Sequence, residues 1–145
     1  MMNRLVVLSV AVVASACLVT SYGAEKQKKK VQVNLSKVPP AASKQGVTYA
    51  TDIKPIFDTS CTKCHGGDKP KAHLRLDSLA GALMGGEDGK VVEPGSSATS
   101  LLLANIAHVG DPDDYMPPPK NKAGIGPLTK EQIGLIRAWI EQGAN

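Results

Sequence analysis

Cys61-Thr62-Lys63-Cys64-His65 is the stretch on which the reading of this 145-residue chain turns. Two thiols three positions apart can each add to one vinyl group of a porphyrin, forming thioethers. The histidine that follows is then held against one face of the ring, with an imidazole nitrogen aimed at the iron. The spacing is that of a covalent c-type haem attachment site. A structural zinc site would need four ligands, usually a second C-x-x-C or a histidine pair. The chain has three cysteines, and the third, Cys17, lies in a hydrophobic leader. A thioredoxin-like redox pair would want a βαβ context that is not readable here. A disulfide across two intervening residues is strained and leaves His65 unexplained.

Outward from the motif the pattern is helical. Tyr49, Ile53, Ile56 and Phe57 recur at near-helical spacing over 49–59, with Thr51 or Asp52 as cap and Pro55 in the early turns, where a missing N–H matters least. A short helix is expected over 78–84, stopped by Gly85-Gly86, and another capped by Ser97 or Thr99 and running through Leu101, Leu102 and Ile106. The clearest element is the last. Thr129 and Gln132 make a capping box, and Leu128 and Ile133 a hydrophobic staple. Ile133, Ile136, Trp139 and Ile140 line one face, which should pack on the Ile53–Phe57 segment, and Gly143 is the stop. No strand alternation and no internal repeat are legible. Residues 47–145 thus form one small domain. Its single Phe, single Trp and two Tyr are a thin supply for a core. A porphyrin would add a large apolar surface to close around.

An iron held by His65 has a second face. The candidates for it are Met84, Met116, His73 and His108. Met116 is preferred because Pro117-Pro118-Pro119 stiffen the loop that carries it, and such a loop can hold a thioether at a fixed distance from iron. The plain alternative is a methionine filling a core gap. Met84 reads as packing, and His73 and His108 as surface or propionate-side residues. Arg75 and Asp77 could bond each other or a haem propionate, or lie on the surface.

The two ends of charge separate cleanly. Residues 1–23 read as a secretory signal, with Arg4 ahead of an apolar run too short for a confident membrane span. Cleavage after Gly23 is one outcome; lipidation of Cys17 in Ala14-Ser15-Ala16-Cys17, which lacks the usual large aliphatic residue at its start, is the other. Residues 24–46 read as a flexible lysine-rich linker, with six lysines against Glu25 alone. From Val47 onward there are 10 basic and 12 acidic residues, so the formal +4 belongs to the arm and Arg4. The lysines keep a tether solvated or touch anionic lipid. With 3% aromatics and no stacking platform, nucleic acid is not an expected partner.

Several stretches together resemble the planctomycete-type cytochrome c domain, a class I-like cytochrome. They are Asp52-Ile53-Lys54-Pro55-Ile56-Phe57, the span 61–67, Leu74-Arg75-Leu76-Asp77-Ser78, Gly85-Gly86-Glu87-Asp88-Gly89, Pro94-Gly95-Ser96, Ser100-Leu101-Leu102, Met116-Pro117-Pro118 and the span 138–144. The resemblance implies an all-α, loop-rich, cytochrome c-like fold wrapped around one covalent haem c per chain. It implies Cys61 and Cys64 as attachment points and His65 and Met116 as axial ligands. In much of this family the module is joined to further domains, whereas here a free-standing carrier is expected. The resulting expectation is a monomeric, non-enzymatic electron carrier of the periplasm or cell envelope with transient redox protein partners. Membrane association would come only through a lipidated Cys17 or the basic arm. The rival is a haem enzyme or gas-sensing module with an open or labile sixth iron site, and a third reading is a structural or anchoring module.

Overall fold

The computed structural model describes residues 31–145, and Thr48 caps the helical segment that leads into the attachment motif. The signal expected over 1–23, Cys17 and the start of the arm at 24–30 lie outside the described residues. The Thr48 hydroxyl accepts from the Thr51 N–H, and the Asp52 carboxylate accepts from the Thr48 N–H at 3.0 Å. The segment expected as one helix over 49–59 is two: a π-helical turn, Tyr49–Ile53, running into α1, Lys54–Ser60. Pro55 explains the change. It cannot donate to the carbonyl one turn back, and its ring crowds that carbonyl, so the turn ahead of it is wider.

Helix α2, Thr62–His65, follows directly from Cys61. The chain then returns, and the Leu76 N–H bonds the His65 carbonyl at 2.7 Å. Helix α3, Leu79–Met84, falls in the span expected as helix, and the Ser78 hydroxyl caps it by accepting from Gly81 N–H at 3.1 Å. Gly85 ends it at φ +84, where a Cβ would lie 2.1 Å from the Gly89 carbonyl oxygen, so only glycine fits. Helix α4, Leu101–Ile106, starts later than expected. Ser97–Thr99 form a 3-10 turn and Ser100 takes the cap position. The buried Ser100 hydroxyl bonds the Ser96 carbonyl at 2.9 Å and accepts from the Glu93 N–H at 2.9 Å. Helix α5, Lys130–Glu141, carries both bonds of the expected capping box, at 3.2 and 2.9 Å. Among the described residues there is no strand, only an isolated bridge between Gly86 and Gly89, and the fold is all-α.

Helix α5 lies against the π-turn, as its apolar face requires. Phe57 and Trp139 meet edge to face at 6.3 Å and 88°, and Tyr49 packs 6.1 Å from each ring. All three are buried, and a large apolar side chain taken fully out of water contributes about 1.5–3 kcal/mol. The Tyr49 hydroxyl donates to the Leu76 carbonyl at 3.0 Å. The returning segment beside His65 is thereby tied to the aromatic core.

The arm expected as a flexible linker over 24–46 is a docked strap over its described part. Val33 and Val38 are in the core, with Leu35, Ala41 and Ala42 packed against it. Val33 N–H bonds the Ala98 carbonyl at 2.8 Å, and Ala42 N–H bonds the Gly134 carbonyl at 2.9 Å. Arg137 donates to the Pro39 carbonyl at 3.1 Å, and Gln142 to the Lys44 carbonyl at 2.8 Å. The Lys44 ammonium pairs with Asp52. The folded unit therefore begins ahead of the expected boundary at Val47. Composition averaged over the arm hides Val33, Leu35 and Val38, which the Asn34-capped turn Leu35–Lys37 gathers on the core. Gly134 makes the approach possible: a Cβ there would stand 2.7 Å from the Pro40 carbonyl oxygen.

Candidate functional site

Cys61 sits at the joint between α1 and α2, and its carbonyl accepts from the N–H groups of Cys64 (3.0 Å) and His65 (2.8 Å). One helical turn thus puts the residues at i and i+3 on the same side. Cys61 and Cys64 are free thiols. Burial, then the neighbouring Cys64, pushes the Cys61 thiol up to about 12, so it is held protonated. His65 lies below its ordinary imidazole value, chiefly through burial, against the opposing effect of its hydrogen bond to Lys71. The Lys71 carbonyl lies 3.2 Å from His65 Nδ1. That contact assigns the proton to Nδ1 and leaves the lone pair on Nε2, the tautomer a metal-binding imidazole needs.

Cys61, Cys64, His65 and Met116 all line one cavity. Leu76, Leu102, Ile106 and Leu128 form its apolar wall. A second, more open cleft shares Cys64, His65, Met116 and Pro118 with the first and opens between the Gly86–Gly89 turn and Asp113-Asp114-Tyr115. Met116 reaches the cavity from a loop pinned to α4, its N–H bonded to the Asn105 carbonyl at 3.1 Å. Among the described residues no three His, Cys, Asp or Glu side chains converge as a metal cluster. The two thiols, the imidazole and the thioether stand instead around an apolar slot.

Residues 61–120 match the family model of planctomycete cytochrome C. The match begins at Cys61 and closes just beyond Met116, so it spans the whole attachment motif and includes Met116. The similarity is to a family of c-type cytochromes, over that stretch. No curated protein and no solved structure matches the chain. The residues fit the covalent haem that a cytochrome c domain implies. Both thiols are free, the Lys71 carbonyl fixes the proton on His65 Nδ1, and the walls are apolar.

Of the four residues considered for the second face of an iron, only Met116 lines the cavity that Cys61, Cys64 and His65 share. Met84 is 77% exposed on the far side of the Gly85 stop. His73 is exposed at the end of the turn Lys71–His73. His108 stacks flat on Tyr115, ring centroids 4.5 Å apart, and its buried Nε2 has no partner. Arg75 and Asp77 bond each other in a fork at 3.1 and 2.6 Å, and Asp77 also accepts from Gly67 N–H at 3.4 Å. Of the readings open for that pair, the mutual bond is the one formed. The sequence reading passed over Asn121. Its side chain lines the cavity and bonds both Pro118 and Ile125. The available signal was an Asn three residues ahead of a glycine in a proline-rich loop, a composition typical of side-chain-clamped turns.

Proposed function

We propose that this protein is an exported mono-haem c-type cytochrome that carries one electron at a time in the cell envelope. Cys61 and Cys64 are its thioether anchors, and His65 and Met116 its axial ligands. One observation carries the reading: these four side chains, brought from two separate segments, line a single apolar cavity. The bound haem would supply an iron that cycles between Fe(III) and Fe(II) without making bonds in a substrate. The two cysteines keep the group attached outside the cell. The Lys71 carbonyl fixes the His65 tautomer and ring orientation. Leu76, Leu102 and Ile106 exclude water from one side, and the Met116 thioether would supply the iron's second protein ligand. A His/Met pair favours the reduced state more than His/His would, which gives a comparatively high potential. Partners are redox proteins that dock briefly through small interfaces. The chain is monomeric and periplasmic, held at the membrane only through a lipidated Cys17 or the basic residues at 26–30.

Acid–acetone extraction of the matured protein tests the anchors: the colour should stay with the polypeptide through denaturation. Cys61→Ala with Cys64→Ala should yield an apoprotein that is mostly unfolded. Met116→Ala should lower the potential and let the ferrous protein bind CO, which the wild type resists. A colourless wild type that folds cooperatively after expression with a working maturation system would end the reading. An unchanged spectrum in Met116→Ala would move the ligand assignment elsewhere.

A further inference from the structure

The loop that carries Met116 has little backbone structure of its own. Across 117–128 a single backbone hydrogen bond forms, from Gly124 N–H to the Asn121 carbonyl at 3.2 Å. Pro117, Pro118, Pro119 and Pro127 have no N–H to give. The remaining bonds of the segment come from one side chain. Asn121 Nδ2 donates to the Pro118 carbonyl at 2.9 Å and to the Ile125 carbonyl at 2.7 Å, and Asn121 Oδ1 accepts from the Ile125 N–H at 3.0 Å. A primary amide has two donors and one acceptor oxygen, and here all are used to close one loop. Pro118, Asn121 and Ile125 line the same cavity as Cys61, His65 and Met116. The clasp is therefore part of the wall that faces the second axial direction.

We propose that Asn121 is the positioning residue for Met116: its amide holds the 116–125 loop closed over the cavity and sets how readily the iron's second face opens to small exogenous ligands. The proposal rests on the reading of Met116 as an axial ligand. Buried polar groups that lose a partner are costly, and a loop with one remaining bond opens locally without unfolding the domain. Asn121→Asp is the discriminating variant. It keeps an acceptor for Ile125 N–H but loses both donors. Asn121→Ala removes all three bonds.

The test compares matured wild type, Asn121→Asp, Asn121→Ala and Met116→Ala in three measurements: CO association with the ferrous protein, amide exchange at Ile125, and melting temperature. Both Asn121 variants should raise the CO association rate roughly tenfold or more and speed Ile125 exchange by a similar factor. Their melting temperatures should stay within a few degrees of wild type, because the loop lies outside the aromatic core. If Met116→Ala admits CO but both Asn121 variants remain as resistant as wild type, the clasp is overturned and the ligand assignment stands. If the CO rate rises only in step with a large loss of melting temperature, Asn121 is a structural residue and the proposal fails. If Met116→Ala itself changes nothing, the ligand reading falls and takes the clasp with it.

Discussion

The strap at 33–46 and the loop at 116–128 are written in nearly the same alphabet. Each has a run of prolines, two lysines and several small residues. Their places in the molecule are opposite. The strap is bound along its length by partners elsewhere in the chain: Ala98, Gly134, Arg137 and Gln142. The loop is bound mainly to itself, through Asn121, and presents Met116 to a cavity. Composition therefore does not decide whether a polar, proline-rich segment belongs to the fold. The neighbouring surface decides. Helix α5 offers the strap a glycine to lie across and two long polar side chains to meet its carbonyls. The loop is offered an apolar slot and one anchor, at Asn105.

The sharpest way to break this contrast is to remove the strap. Deleting residues 31–46 from the matured protein strips Val33 and Val38 from the core. It should cost about 4 kcal/mol and lower Tm by roughly 15 °C or more. A Tm unchanged on deletion would return the arm to the status of a free tether. The same deletion should leave CO resistance in place, since the strap does not line the cavity.

A single methyl group makes a finer probe. Gly134→Ala should improve helix propensity by about 1 kcal/mol in an isolated α5. In the folded protein the new Cβ would stand 2.7 Å from the Pro40 carbonyl oxygen, a backbone atom that cannot swing aside. The clash should win, for a net loss of about 1–3 kcal/mol. Thermal unfolding reads the sign directly, and a stabilised variant would mean the strap does not press on α5. On the loop side, Gly124→Ala meets no atom within 4 Å but forces alanine to φ +65. Its cost should be about 1 kcal/mol and confined to the loop.

The smallest expected effect is electrostatic. The Lys44 ammonium, and after it the Thr48 N–H, hold the Asp52 carboxyl at about 2, below its ordinary 3.8. A carboxylate depressed in the folded state stabilises above its unfolded pKa, and that contribution fades as pH falls through the folded one. Asp52→Asn should therefore lower Tm slightly at neutral pH. The gap to wild type should close as pH falls from about 3.8 to about 2. A gap that persists below this window would mean Asp52 acts through packing rather than charge. The Lys44 end of the pair is exposed to solvent, so added salt should shrink the neutral-pH difference.

Much of the site was legible without coordinates. C-x-x-C-H is local chemistry, because Cys61, Cys64 and His65 are placed by one helical turn. The cap and face of α5 were legible for the same reason, since Thr129, Gln132, Ile133, Ile136, Trp139 and Ile140 act within a few residues of one another. The error at the arm and the silence about Asn121 share a different cause. Val33 is buried by Ala98 and its surroundings, far along the chain, and Gly134 is explained by Pro40. Asn121 takes its importance from which cavity its loop happens to cover.

Sequence alone determined that this chain is helical, that it carries a covalent haem motif at Cys61, Cys64 and His65, and that Thr129 opens its last helix. Each of those follows from hydrogen bonds or side-chain spacing within a turn or two. Only the tertiary structure decided that 33–46 is strap rather than tether, that Met116 shares a cavity with the attachment motif while Met84, His73 and His108 do not, and that Asn121 clasps the loop between them. Those outcomes depend on which surfaces meet when distant segments pack, and contacts between distant segments leave no periodic trace in the order of the residues.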